Sequence, residues 1–121
     1  MVKELKKVTI LEGNSGNKYQ FSLWSFEEFD DIKGSFTGGG LYLFTKRYDD
    51  EGVFRHFYIY LGETENYFTR FDFHHKEQSI RLHDANCIGF YPMPNADEKE
   101  CKAAEADLLA NYDFPCNTVN N

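Results

Sequence analysis

The run Phe54-Arg55-His56-Phe57-Tyr58-Ile59-Tyr60-Leu61, closed by Gly62, constrains the fold of this chain more than any other stretch. Phe57, Ile59 and Leu61 alternate with His56, Tyr58 and Tyr60. A strand satisfies that period of two and a helix does not, and the pattern predicts the tyrosines together on one face. Asp49-Asp50-Glu51-Gly52 reads as a polar turn before the run, and Leu41-Tyr42-Leu43-Phe44 as the strand that precedes it. The middle of the chain therefore predicts an antiparallel hairpin.

The flanking segments extend this pattern. Val8 to Glu12 and Tyr19 to Trp24 are strand-like and joined by Gly13-Asn14-Ser15-Gly16-Asn17, whose residues tolerate positive φ, so a second hairpin is expected. Ser25 to Phe29 is expected to make one helical turn, and Gly34 and Gly38-Gly39-Gly40 then interrupt the chain. Thr64 to His75 reads as a helix, Asn86 to Tyr91 as a strand ended by Pro92-Met93-Pro94, and Asn95 to Tyr112 as the best-defined helix. Asn95 is its expected N-cap, with Glu98 in the reciprocal position three residues on. Asp97, Glu98 and Glu100 suit the positive end of the helix dipole.

The 121 residues suit one domain with a modest core. The expected class is α+β: a small antiparallel sheet of three core strands, extended by an N-terminal hairpin and flanked by helices. Residues 1–37 form the hairpin extension in this reading and 38–121 the main body. No apolar run approaches the ~20 residues needed to span a bilayer. The opening Met-Val-Lys-Glu-Leu-Lys-Lys lacks the apolar stretch of a signal peptide, so a cytoplasmic location is expected. Cys87, Cys101 and Cys116 have neither the pairing of a disulfide framework nor zinc-ligand spacing, and are expected as free thiols, two of them partly buried. Thirteen basic residues against twenty acidic ones leave a net charge of −7, which argues against tight non-specific binding to a phosphate backbone.

Three places concentrate chemistry. On the last helix an apolar stripe runs through Cys101, Leu108 and Tyr112, with Ala104 and Leu109 beside it, and Glu105 falls on that stripe. A carboxylate there either reaches solvent at the stripe's edge or is paired, protonated or metal-bound, and the helix alone leaves these open. Arg70 and His74 lie four apart, on one face of the expected second helix with Tyr67 a turn before. A guanidinium fork suits a phosphate and an imidazole can donate or transfer a proton, although such a pair is more commonly solvated helix surface. Tyr42 and Tyr60 sit on consecutive strands, where plain cross-strand packing would also explain them.

Taken in order, Gly40-Leu41-Tyr42 and Tyr60-Leu61-Gly62 resemble the two tripeptides that name the GIY-YIG nuclease family. Arg70 stands eight residues after Gly62, where that family carries its arginine, and His74 twelve after, where many members have a histidine. Glu105 matches the family's metal-binding glutamate on the last helix, and Asn117 its asparagine beyond that helix. The resemblance covers about residues 38 to 120. It implies a metal-dependent endonuclease hydrolysing phosphodiesters, in DNA more than in RNA. Glu105 would hold Mg²⁺ or Mn²⁺, Arg70 would offset transition-state charge, and Tyr42 would help deprotonate water with Tyr60 orienting it. His74 would donate to phosphate or tune a tyrosine, and Asn117 would brace the chain after the helix.

Departures from the family pattern are visible. The stretch from Lys46 to His56 lengthens the hairpin, and Glu63 places a negative charge beside the expected phosphate path. A second reading therefore stands beside the enzyme: the same fold retained as a binding or assembly module, its acidic surface directed at a protein partner. An RNA or nucleotide phosphodiesterase is a third. Clustering of Lys46, Arg47, Arg55, Arg70, Lys76 and Arg81 around Glu105 would favour a nucleic-acid substrate, and homodimerisation is compatible with two-strand cutting.

Overall fold

A computed structural model describes residues 8–28, 38–65 and 84–117. Five strands, β1 (Val8–Glu12), β2 (Lys18–Ser25), β3 (Gly40–Asp50), β4 (Val53–Thr64) and β5 (Cys87–Pro92), form one antiparallel sheet in the order β1-β2-β5-β3-β4. After β5 come a helix, α1 (Glu98–Leu109), and a 3₁₀ turn at Pro115–Asn117. The fold is α+β. The N-terminal hairpin extends the sheet by pairing β2 with β5, as in Leu23 opposite Gly89, while β3 lies between β5 and β4.

The turn chemistry explains the long hairpin. Asp49 and Asp50 belong to β3, so the turn proper is Glu51-Gly52, with φ of 54° and 89°. A two-residue loop whose central residues are both left-handed matches the twist of paired strands, and Gly52 adopts that conformation without a Cβ penalty. The carboxylate of Asp49 accepts the Gly52 amide at 2.7 Å.

The expected grouping of tyrosines fails at one point. Between Phe44 and Thr45 the register slips, so that Phe44 faces Tyr60 and Thr45 faces Tyr58, leaving Ile59 as an extra residue in β4. Such a bulge reverses the alternation beyond it. Tyr58 consequently packs with Leu41, Leu43 and Leu61 on one face, whereas Tyr60 joins Tyr42 on the other.

The C-terminal helix starts later and ends earlier than its pattern suggested. The amide of Ala96 bonds the carbonyl of Met93, so Asn95 sits in a turn. Asp97 is the N-cap: its carboxylate accepts from the Glu100 amide at 2.8 Å and Glu100 returns a bond to the Asp97 amide at 2.9 Å. The helix stops at Leu109, so Tyr112 lies beyond it, and Leu109 is exposed. Cys101, Ala104 and Leu108 are the buried positions. Ser25 and Glu28 make a similar reciprocal cap at the start of the helical residues 26–28. Thr64 belongs to β4, and the rest of the helix expected over Thr64 to His75 lies largely outside the described residues.

The sheet curls until its two outer strands meet. Thr9 in β1 and Tyr58 in β4 share a hydroxyl–hydroxyl hydrogen bond of 2.9 Å. The concave face holds the core of Leu11, Phe21, Leu41, Leu43 and Leu61, closed by Ala104 and Leu108 of α1 and by Phe114. A second cluster, Tyr42, Ile59, Tyr60, Ile88, Phe90 and Cys116, occupies the convex face, with Trp24 and Phe44 against it. Cys87, Cys101 and Cys116 are all buried free thiols. Among the described residues no helix is long and apolar enough to cross a membrane.

Candidate functional site

The two glycine–tyrosine tripeptides are direct ladder partners. Tyr42 faces Gly62, Leu43 faces Leu61 and Phe44 faces Tyr60. This register lays the Tyr42 ring over Gly62, where a Cβ would stand 2.5 Å from the phenolic oxygen. A glycine is required there because the buried ring occupies the volume any side chain would need. Gly40 sits at φ 149°, another backbone state that residues with a Cβ rarely adopt. Tyr42 and Tyr60 have centroids 6.0 Å apart with planes tilted by 44°, and Phe44 meets Tyr42 edge-on at 6.0 Å. Tyr42 is fully buried and Tyr60 is 8% exposed.

Asn117 completes this unit from the side. Its side-chain oxygen accepts from the Leu61 amide and its side-chain nitrogen donates to the Leu61 carbonyl, both at 2.8 Å. Leu61 lies on the outermost strand, so this carboxamide supplies the pairing a sixth strand would have given it. The adjacent Cys116 enters the cluster of Tyr42 and Tyr60.

Glu105 is half-buried on the flank of α1. Its helix packs through Ala104 and Leu108 against Leu41, Leu43 and Leu61, the face opposite to Tyr42 and Tyr60. The structure thus brings Tyr42, Tyr60, Gly62 and Asn117 together, and places the Glu105 helix across the sheet from the two rings. Arg70 and His74 lie outside the described residues.

Lys102 was not singled out by the sequence, although it stands four after Glu98 and three before Glu105. Its ammonium donates to Glu63 at 2.9 Å and lies 3.6 Å from Glu98. The Glu63 hydrogen bond, with the charges of Glu63, Glu98 and Glu105, raises the Lys102 pKa. The negative charge expected beside Gly62 is therefore compensated locally. The i,i+4 spacing with Glu98 was the available signal.

The donor set around Glu105 fits a divalent cation only in a sparse form. Among the described residues no three His, Cys, Asp or Glu side chains converge as a metal-binding group. Magnesium commonly takes one or two carboxylates and completes its shell with water and substrate phosphate, so a single glutamate remains a chemically sufficient anchor. The described basic residues of the long hairpin have partners of their own. Lys46 lies 3.9 Å from Asp84, Arg55 is 2.6 Å from Asp50, and the Arg47 guanidinium stacks 4.7 Å from the Phe54 ring centre.

Fold and site together define a small α+β domain built on a curled, five-stranded antiparallel sheet. No protein-family model, curated protein or solved structure matches the chain.

Proposed function

We propose that the chain is a metal-dependent endonuclease of the GIY-YIG type, acting on DNA in preference to RNA. The observation that carries this reading is the pairing of Tyr42 with Gly62, locked by the Asn117 carboxamide on Leu61. Residues distant in sequence that resemble one family's motif form one contiguous unit. In this reading Tyr60, the more exposed of the two rings, contacts and orients the phosphate or the attacking water. Tyr42 supports it from beneath, and its role as a base is secondary because a phenol near pKa ~10 needs a cation to ionise. Arg70 would offset charge on the transferring phosphate and His74 would donate to it. Glu105 would hold Mg²⁺ or Mn²⁺, which when bound polarises the phosphate and stabilises the leaving oxygen.

A second reading, a binding or assembly module with a protein partner, is favoured by one specific arrangement. Tyr42 is sealed, and α1 packs on the opposite face of the sheet, so the matching residues also make sense as core. The net charge of −7 points the same way.

Plasmid nicking at low salt with Mg²⁺ or Mn²⁺ separates the two. The enzyme reading expects metal-dependent cleavage that falls by about 10²-fold or more in Glu105→Ala and Arg70→Ala. Cleavage of RNA alone would make the chain a ribonuclease on the same site. Absence of hydrolysis with duplex, single-stranded and branched DNA and with RNA would leave the binding module.

A further inference from the structure

The segment that follows α1 is fastened to both outer strands of the sheet. At β1, the Glu12 amide donates to the phenolic oxygen of Tyr112 at 3.0 Å, and the Asn111 side-chain nitrogen donates to the Glu12 carbonyl at 2.8 Å. At β4, Asn117 captures the amide and the carbonyl of Leu61 in the same way. The Gly13 amide turns inward to the Asn17 carbonyl at 2.8 Å, so the backbone groups of Glu12, one residue earlier, point away from β2. Residues 111–117 therefore satisfy one outward backbone pair on the first strand of the sheet and another on the last.

Between these anchors the segment is held by rings. Tyr58 of β4 meets Tyr112 edge-on at 6.0 Å and Phe114 at 6.2 Å, and the Tyr112 and Phe114 rings lie 6.2 Å apart. The Tyr58 hydroxyl in turn reaches Thr9 on β1. Phe114 is 3% exposed and belongs to the concave core. Each anchor shortens the search of the other. With Tyr112 seated, Asn117 has only a short stretch left to order before it meets Leu61, and the converse holds for Tyr112 when Asn117 is bound. Loss of either end returns that conformational freedom to the segment as a whole.

We propose that residues 111–117 form one strap that clamps β1 and β4 and opens as a unit, coupling the first hairpin to the backbone of Leu61. Leu61 stands between Tyr60 and Gly62, so opening frees the middle of the second tripeptide. The coupling is reciprocal: an event that detaches Glu12 loosens Leu61, and one that detaches Leu61 loosens Glu12. Withdrawal of the buried Phe114 makes the opening rare. If Phe114 instead stays seated as a fixed pivot, the two ends are independent. The proposal holds whether or not the chain hydrolyses phosphodiesters.

Native-state hydrogen exchange on the full chain tests this, with Tyr112→Phe and Asn117→Ala set beside the parent. In the parent, the Glu12 and Leu61 amides should exchange through one shared opening. Their protection should be similar, and lower than that of Leu43 on β3, which has a paired strand on either side. Tyr112→Phe keeps the ring and removes the acceptor, so the remote Leu61 amide should exchange about two- to ten-fold faster. Asn117→Ala should accelerate the remote Glu12 amide to a similar degree. The proposal is overturned if the remote amide is unchanged in either variant, because independent ends move only their own amides. It is equally overturned if Glu12 and Leu61 differ widely in protection in the parent, or if both are protected as strongly as Leu43 and so open only with the whole fold. The parent and Tyr112→Phe carry the test by themselves should Asn117→Ala fail to fold.

Discussion

Asn117 and Leu61 exchange two hydrogen bonds, side chain to backbone, each 2.8 Å long, across a separation of 56 residues. The carboxamide has a donor and an acceptor at the spacing a neighbouring strand would present, and it fastens the segment after α1 to the outer strand. Net hydrogen-bond contributions of roughly 0.5–1.5 kcal/mol each put the expected loss in Asn117→Ala at about 1–3 kcal/mol. Asn117→Asp keeps the acceptor for the Leu61 amide and loses the donor to its carbonyl, so it should also destabilise. Urea denaturation of the three proteins checks both outcomes.

Gly62 is held by Tyr42 in a comparable way. A Cβ at position 62 would stand 2.5 Å from both the Cζ and the phenolic oxygen of a ring that is fully buried. That ring packs against Phe44 and Tyr60 inside the core, so it must push on its neighbours to make room. Overpacking of this kind costs about 1–3 kcal/mol, so Gly62→Ala should lower stability by that amount. Tyr42→Leu vacates the contested volume, and the double variant should lose less than the sum of the single losses. A double-mutant cycle in urea measures that coupling.

The same two positions show how much of the fold was legible beforehand. Both hairpins could be read because their turns have local chemistry: Glu51-Gly52 closes one and residues 13–17 the other. The helix was legible as an element but not in its bounds, since Asn95-x-x-Glu98 and Asp97-x-x-Glu100 are equally good caps until the turn at Met93–Ala96 chooses between them. The bulge at Ile59 was not legible. It depends on how β3 pairs, and the alternation of β4 reads as unbroken. For that reason Tyr58 was assigned to the wrong side of the sheet relative to Tyr60. That β3 and β4 are neighbouring strands was legible from the residue pattern, but the register that sets Tyr42 against Gly62 was not. That α1 packs against Leu41, Leu43 and Leu61 depends on contacts between distant elements, which no local pattern encodes.

The three thiols give a readout of global opening. Cys87, Cys101 and Cys116 are buried, and desolvation raises the pKa of Cys87 and of Cys101. Arg47 and Thr45 oppose the shift at Cys87, while Glu63 and Asp97 reinforce it at Cys101. A thiol that is both covered and reluctant to ionise reacts slowly with alkylating agents. Pulsed iodoacetamide at mildly alkaline pH should leave native protein unmodified and label all three together across the denaturation midpoint. Rapid labelling of one thiol under native conditions would show that its part of the core opens separately.

Asp107 ties α1 to the first hairpin, and its protonation sets an acid limit to the fold. One carboxylate oxygen accepts the Ser15 amide at 2.8 Å, and the other accepts the Ser15 and Tyr19 hydroxyls at 2.7 and 2.8 Å. The Ser15 and then the Tyr19 side-chain bonds hold the Asp107 pKa below the ordinary carboxylate value of 3.8. A carboxyl whose folded pKa is depressed binds its proton more readily in the unfolded chain. Its stabilising contribution is therefore complete above the unfolded pKa and is lost as pH falls through the folded one. Asp107→Asn cannot ionise and should be less stable than the parent at neutral pH. The gap should stay constant down to about pH 5 and then close as the parent's own carboxylate is protonated. Thermal melts of both proteins between neutral and strongly acid pH measure the gap. A gap unchanged at the acid end would mean that geometry alone, and not the charge on Asp107, holds the loop.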